Sequence, residues 1–524
     1  MSGMFEPKTD KASRKMARTQ KEQKEKRRSR IISISIITVL LLVTAVAILV
    51  NSSFIRRTLP VVTIDGVNFS TTEFEFFFNS EYMEYANFMS QFQGMGVSMP
   101  DPGRPLSGQI QNPETGETWA DLMVERTLER LKNLVSLHNA AKANGFELSQ
   151  EQRNEMEDEI AMVQMQATFG GFPSFDSLLQ QMFGSSINEK IFREVTEFVK
   201  TAGDYSEFVR ESFVYSTADL AAYYNENKDE LDIINYRSLI VYAEEPDVDE
   251  FITDAELEAA YQTAVEEARL QAAAIANGIE NEEDFIQAAG EYREYYTEPE
   301  LTLRANQAGR LDASSSDWLL DEQRNYGDVT VLYTEHGSEI IMFVSRDDNN
   351  YQTVGMRQIL ISREFIDPED FPEGENDHGY LAALEQADLD ARERAESVHS
   401  LFVTAGESED ALIDLMAEHS DDTTFGGYYT DITKFPYQSQ HFQTMKVVPE
   451  IEEWLFDENR VVGDSELVYT SAFGYHLLYF MGLGDPFFEL IAEDRMRTRD
   501  HTEWIDGLPL GEPVRHFAFI LVTM

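Results

Sequence analysis

An internal repeat restricts the fold more than any other feature of this chain. Residues 454–480 read WLFDENRVVGDSELVYTSAFGYHLLYF, and residues 318–343 read WLLDEQRNYGDVTVLYTEHGSEIIMF. Over the first 17 positions the two tracts share Trp, Leu, Asp, Glu, Arg, Gly, Asp, Tyr and Thr at a constant offset of 136 residues. Matching of that density means that one supersecondary unit is present twice, and each copy needs a core of its own. Each tract reads as a short helix ending near Asp-Glu, a Gly-Asp turn, a strand, a second turn and a closing apolar strand. The copies part after the second turn, with Gly474-Tyr475-His476 in one and Gly337-Ser338-Glu339 in the other. If one copy carries chemistry, it is the one that keeps the histidine.

Each tract closes a longer unit. From residue 233 the pattern is that of a strand, INYRSLIVYA, followed by a long Ala/Glu-rich helix and a second helix near 282–292. The same device returns at 354 with VGMRQILIS, helices over 388–403 and 409–418, and the turn-rich run Ser420-Asp421-Asp422-Thr423-Thr424-Phe425-Gly426-Gly427. Two tandem α+β units are therefore expected, over 231–350 and 351–485.

Upstream, PVVTIDGVNFS at 60–70 alternates as a strand and turns at Asp65-Gly66, and Ser70 with Glu73 gives a capping signal for an aromatic-rich helix. Leu122, Leu128, Leu131, Leu134, Val135 and Leu137 mark a helix over 119–144 that Gly145 stops. Further helices are expected after Ser149 and over 174–200 and 217–230, which makes 51–230 a mainly helical domain. Between them, 88–108 reads as a loop whose Met89, Met95 and Met99 are either an adaptable apolar contact surface or ordinary loop and core methionines. Residues 486–524 read as a helix over 487–507 and a terminal strand, PVRHFAFILVTM, packed on the N-terminal domain, because so apolar an end left exposed invites aggregation.

At the other end, residues 31–50 form an uninterrupted apolar run, IISISIITVLLLVTAVAILV. Twenty residues rise about 30 Å as a helix, the thickness of a bilayer's hydrocarbon core. Nine Lys/Arg between Arg14 and Arg30 face only Arg56 and Arg57 beyond the run. The expectation is a basic cytoplasmic tail (1–30), an uncleaved single-pass plasma-membrane anchor (31–50) and an extracytoplasmic remainder; a cleaved signal peptide has a shorter apolar region.

The 524 residues predict two to four domains. The first 30 carry 11 of the 42 Lys/Arg and four of the 95 Asp/Glu, leaving 31 basic against 91 acidic residues and a charge of about −60 for the rest. Such a surface repels phosphate backbones, so nucleic acid is not an expected partner; the acidity serves solubility. The absence of cysteine excludes disulfides, thiolate nucleophiles and Cys-based zinc sites. His378, His399, His419 and His441 lack metal-ligand spacing such as His-Glu-x-x-His, and no phosphate loop or nucleophile elbow occurs.

Taken together, Arg357-Gln358-Ile359-Leu360, the Ser420-Asp421-Asp422 turn, Gly426-Gly427, the VVPEIE run at 447–452 and Gly474-Tyr475-His476 resemble the parvulin family of peptidyl-prolyl cis-trans isomerases over 354–485. The stretch from VVTIDGVNFSTTEF to Tyr223-Tyr224-Asn225-Glu226-Asn227 looks like the chaperone domain of SurA- and PrsA-type extracytoplasmic foldases. The resemblance implies four-stranded antiparallel sheets surrounded by helices, an apolar proline pocket backed by a hydrogen-bonded pair of histidines, and no cofactor or metal. By position it places the first histidine on Gln358, the Cys-or-Asp residue on Asp422 and the second histidine on His476, the implied catalytic set. Substrate-binding positions fall on Val447, Ile451, Tyr429 and Tyr475. Asp422 and His476 match the family outright, Val447 and Ile451 keep its apolar character, and Gln358 and Tyr429 depart from it. The first unit departs further, with Ser238 and Glu339 at the histidine positions, and resembles an inactive spacer or peptide-binding domain.

Each of these residues also has a plainer reading: Gln358 as a polar residue satisfied within the sheet, His476 as a core histidine, Asp422 as a turn or cap carboxylate. Two functions follow from the resemblance. One is a foldase that binds unfolded secreted or surface polypeptides and isomerises their X-Pro bonds; the other is a holdase or assembly factor with catalytically silent units. A scaffold that binds no client is the third. The oligomeric state stays open.

Overall fold

The computed structural model describes residues 34–44, 53–91, 99–246, 253–292, 302–422 and 427–522. They belong to two units, Val214–Arg499 forming one and the chain before and after it the other.

In the flanking unit a helix over 34–44 (α1) and Ser53–Thr58 (α2) precede the hairpin Pro60–Ile64 (β1) and Val67–Ser70 (β2). Asp65 and Gly66 both take positive φ, 42° and 82°, the geometry of a two-residue hairpin turn matched to strand twist. Ser70 and Glu73 form a capping box at the start of Thr71–Ser90 (α3), and the small ribbon Ile110–Asn112 (β3) and Glu117–Thr118 (β4) follows. Helices Trp119–Ala143 (α4), Gln150–Phe169 (α5), Phe175–Phe183 (α6) and Glu189–Ser212 (α7) complete the run. Their apolar stripes meet β1 and β2 around Val61, Val62, Ile64, Phe74, Phe77, Leu131, Val135 and Leu179, all essentially fully buried. Each such side chain contributes about 1.5–3 kcal/mol by leaving water.

The Val214–Arg499 unit opens with Thr217–Glu226 (α8) and Lys228–Leu231 (α9), then Ile233–Tyr242 (β5), Asp254–Ala276 (α10), Glu282–Tyr292 (α11), Leu303–Gln307 (β6), Ala313–Leu319 (α12), Val329–Thr334 (β7) and Gly337–Asp347 (β8). The second half repeats the order with Gln352–Ser362 (β9), His378–Thr404 (α13), Glu409–His419 (α14), Tyr428–Ile432 (β10), Pro449–Leu455 (α15), Ser465–Thr470 (β11) and Gly474–Pro486 (β12). Two antiparallel four-stranded sheets result, ordered β6-β5-β8-β7 and β10-β9-β12-β11, each with the first and last strands of its half paired at the centre. Phe487–Asp506 (α16) and Val514–Arg515 (β13) end the chain, β13 pairing with β1.

The repeat residues are those that hold this scaffold. Arg324 and Arg460 lie over the rings of Trp318 and Trp454 at 4.2 and 4.0 Å, and each donates to that tryptophan's carbonyl at 3.1 Å. Gly327 and Gly463 donate backbone N–H groups to Phe343 and Phe480, both at 3.0 Å, while Phe343 and Phe480 donate back to Asp328 and Asp464. The same two aspartate side chains accept from the backbone at Asn325 and Val461, each at 2.9 Å. Matching of Trp, Arg, Gly and Asp between the tracts thus reflects one turn built twice.

Four expectations need correction. Among the described residues no helix is long and apolar enough to cross a membrane. Within 31–50 the structure describes a helix over 34–44. The α+β fold therefore stands without the expected transmembrane helix, and the single-pass plasma-membrane location is not supported; the tail expected at 1–30 falls outside the described residues. Residues 1–33 and 45–52 lie outside the described residues, as do Met95 and Gly426. The helix expected from 388 begins ten residues earlier, capped by Asp377, whose side chain accepts from Gly379. Its first buried residue is Ala387, and Leu381 is exposed, so its opening turns carry no amphipathic signal. The helix expected over 174–200 is two helices separated at Gly184 (φ 116°), with Asn188 capping the second. Lastly, the terminal strand is only two residues long. The chain then turns into a short 3-10 helix, Phe517–Leu521, that seats Phe519 edge-on against Phe74 with ring centroids 5.3 Å apart.

Gly474 and Gly337 open the closing strand of each half with φ of 110° and 145°, and a Cβ there would lie 2.6 Å from the Ile361 carbonyl and 2.1 Å from that of Val241. Gly463 also has positive φ, but its nearest neighbour would be 3.6 Å away. Gly463→Ala is expected to cost about 1–2 kcal/mol and Gly474→Ala about 3 kcal/mol or more, since strain and a backbone clash add. Urea unfolding followed by tryptophan fluorescence measures both; equal losses contradict the account.

Candidate functional site

The pairing of β9 with β12 sets Gln358 opposite Leu478 and Leu360 opposite His476. Gln358 and His476 are therefore diagonal neighbours on one face of the sheet. Tyr429 reaches the same face because β10 pairs it with Met356, and Thr470 because β11 pairs it with Gly474. Asp422 arrives on a loop fastened to β9: the Asp421 N–H donates to the Leu360 carbonyl at 2.8 Å, and the Asp421 carboxylate accepts from the Ser362 N–H at 2.9 Å.

A directed hydrogen-bond chain results. Gln358 Nε2 donates to Asp422 Oδ2 at 2.8 Å and to the Tyr429 hydroxyl at 3.2 Å, and Tyr429 donates its own proton to Asp422. An ionised carboxylate only accepts, so the amide must turn its NH2 group towards Asp422 and its oxygen towards His476. Gln358 Oε1 lies 2.9 Å from His476 Nδ1, which makes Nδ1 the protonated nitrogen. Nε2 is left to accept from the Thr470 hydroxyl at 3.1 Å. His476 is 4% exposed and Gln358 7%.

Gln358, Asp422, Tyr429 and His476 of this chain form the floor of a cavity of about 570 Å³. Its walls are Met356, Leu360, Met445, Val447, Val448, Ile451 and Phe473, with Lys446 at the rim. Pro449 starts α15 and fixes the approach of Val447 and Val448, while Ile451 is buried in the first turn. Burial also pushes the Tyr429 hydroxyl up to about 12, the Asp422 charge adding to the effect. The site thus combines apolar walls with a phenol that stays protonated around neutral pH.

Of the residues picked from the sequence, Gln358, Asp422, Tyr429, Val447, Ile451 and His476 come together here. Tyr475 does not. Its neighbour His476 points into the cavity, so strand alternation turns Tyr475 to the opposite face, where it packs with Ile359, Ile361, Val398 and Phe402 and lies 4.9 Å from the Tyr469 ring. Sequence reading missed Met356, Leu360, Met445, Lys446, Phe473 and Thr470. Thr470 did leave a signal, because it is one of the nine residues shared by the repeat.

The first half fills the equivalent positions differently. Tyr236 pairs with Phe343 as Met356 pairs with Phe480, and its hydroxyl accepts from Asn306 at 2.9 Å. Ser315 stands where the second half has Ile451, and the Gln358–His476 pair is replaced by Ser238 donating to Glu339 at 2.6 Å. Among the described residues no group of three or more His, Asp or Glu side chains is placed to hold a metal ion.

Burial is the main influence on His476 and lowers its pKa to about 4, although the charges of Asp422 and Glu450 pull upwards. An unfolded histidine titrates near 6.5, so the neutral ring's contribution to stability is full above that pH. It is lost as the pH falls from 6.5 towards 4, a total of roughly 3 kcal/mol. Imidazole signals followed by NMR through a pH titration are expected to show His476 protonating near 4; protonation near 6.5 contradicts the buried chain.

No protein-family model and no curated protein matches this sequence. Among solved structures the chain is similar to the crystal structure of PrsA from Bacillus subtilis, with 15% identity over 58% of this chain and 91% of that one and a TM-score of 0.13, a likeness too low to support a statement about fold or function.

Proposed function

We propose that residues 351–485 carry a peptidyl-prolyl cis-trans isomerase site, in a foldase that acts on unfolded or partly folded polypeptides with X-Pro bonds. One observation carries this reading: an apolar cavity large enough for a prolyl ring, floored by His476, Gln358, Tyr429 and Asp422, which Thr470 joins from behind in a single hydrogen-bonded chain. The reaction breaks no covalent bond. Its barrier, about 18–20 kcal/mol for an ordinary peptide bond, comes from the partial double bond of the amide. In the twisted transition state that conjugation is lost and the carbonyl is less polar, so an apolar, water-excluding site favours it over the planar ground state.

On this reading Val447, Ile451 and Met356 hold the ring, while the chain behind them keeps the floor rigid and leaves no buried polar group to compete for the imide carbonyl. His476 acts as a positioned neutral group and transfers no proton. Residues 51–230 then serve as a chaperone-like domain and 231–350 as a spacer. Gln358, an amide in the first histidine position, favours a second reading in which the cavity binds peptide without changing its isomer exchange.

The two readings separate in an exchange measurement on a proline-containing peptide with the purified chain. Catalysis is expected to depend little on pH between about 6 and 9, because Gln358 does not titrate and His476 is already neutral. Val447→Lys is expected to lower the rate at least about tenfold by placing a charge in the apolar wall. Bound peptide with an unchanged exchange rate supports the holdase; a pH profile with its midpoint near 6.5 rejects the floor described above.

A further inference from the structure

Phe473 and the charges at the cavity mouth indicate which prolines would fit. Phe473 lines the cavity yet is 52% exposed, and its ring stands edge-on to His476 with centroids 6.3 Å apart. It comes from the turn between β11 and β12, which reads Thr470-Ser471-Ala472-Phe473-Gly474. The corresponding turn of the first half, Thr334-Glu335-His336-Gly337, is one residue shorter. The longer turn therefore delivers a phenyl face to the mouth of the one cavity that has the imidazole–amide floor.

Carboxylates outnumber ammonium groups among the charges in and beside the cavity lining. Asp422 lies in the floor, where an amide and a phenol donate to it. Glu450 is exposed in the first turn of α15, beside Ile451, and its charge acts on His476 together with that of Asp422. Lys446 is the cation in the lining, and its ammonium group lies 3.9 Å from Glu452. The lining itself holds one carboxylate, Asp422, and one ammonium, Lys446; with Glu450 and Glu452 added on one side and Lys434, whose charge also reaches Glu452, on the other, carboxylates exceed ammonium groups three to two, in a chain whose net charge is −53. A field of that sign draws cations into a low-dielectric cleft and repels anions.

We infer that the cavity selects proline next to a basic residue, arginine above all, with the prolyl ring against Val447 and Ile451 and the guanidinium over Phe473 near Glu450. Guanidinium groups stack on aromatic faces and pair with carboxylates, whereas an acidic neighbour would meet like charge. This inference rests on the cavity being a proline site.

The test uses the full chain and three short peptides that differ only in the residue before proline: Arg, Leu or Glu. Binding is read by fluorescence anisotropy and isomer exchange by NMR. The Arg peptide is expected to bind about tenfold more tightly than the Glu peptide, the size of one cation–π contact plus one exposed ion pair. That ratio should shrink in Phe473→Ser and in Glu450→Gln, both surface changes, and fall as salt rises. Equal binding of the three peptides, or a ratio unmoved by both variants, overturns the inference. Preferential binding of the Arg peptide without faster exchange upholds it and removes the isomerase reading instead.

Discussion

The second half of the Val214–Arg499 unit depends on the acceptor-only carboxylate of Asp422. Because Asp422 can only take hydrogen bonds, it orients the Gln358 amide, and that amide fixes the tautomer and ring plane of His476. Each polar group behind the cavity then has a partner, which matters because a buried donor or acceptor left unmade costs about 1–3 kcal/mol. The walls in front can stay apolar because the floor asks nothing of them. Gln358 thus satisfies Asp422 on one side and His476 on the other without adding a titrating group to the site.

The two halves show how a duplicated scaffold can carry different sites. Trp318 with Arg324 and Trp454 with Arg460 build the same turn, and Gly337 and Gly474 bring the closing strand equally close to its neighbour. None of these residues faces the cavity. The divergent positions are those on one sheet face, where Tyr236, Ser238 and Glu339 stand in one half and Met356, Gln358 and His476 in the other, and on the short helix of each half, where Ser315 corresponds to Ile451. Scaffold and site lie on separate residues, so one can be kept while the other drifts.

The same separation decides what could be read from the sequence. The repeat was legible because its matches are side chains and glycines bound to backbone groups, and such contacts tolerate few replacements. The grouping of Gln358, Asp422, Tyr429 and His476 came from a resemblance and not from local pattern, since nothing in strand periodicity joins residues over 100 positions apart. Tyr475 was misplaced for the opposite reason: adjacency to His476 in sequence means the opposite face in a strand. Length and hydropathy at 31–50 suggested a span, whereas among the described residues no helix is long and apolar enough to cross a membrane. Phe473 and Lys446 escaped notice because turn and loop residues carry no periodic signal, although they shape the mouth of the site.

The central claim is that the second half, and not the first, holds the ligand cavity. Methyl NMR of the chain during titration with a short proline peptide tests it most directly. The account predicts shifts at Met356, Met445, Val447 and Ile451, with the methyl groups of Leu319 and Ile341 in the first half unmoved. Shifts of equal size in both halves, or shifts confined to the first, would contradict it.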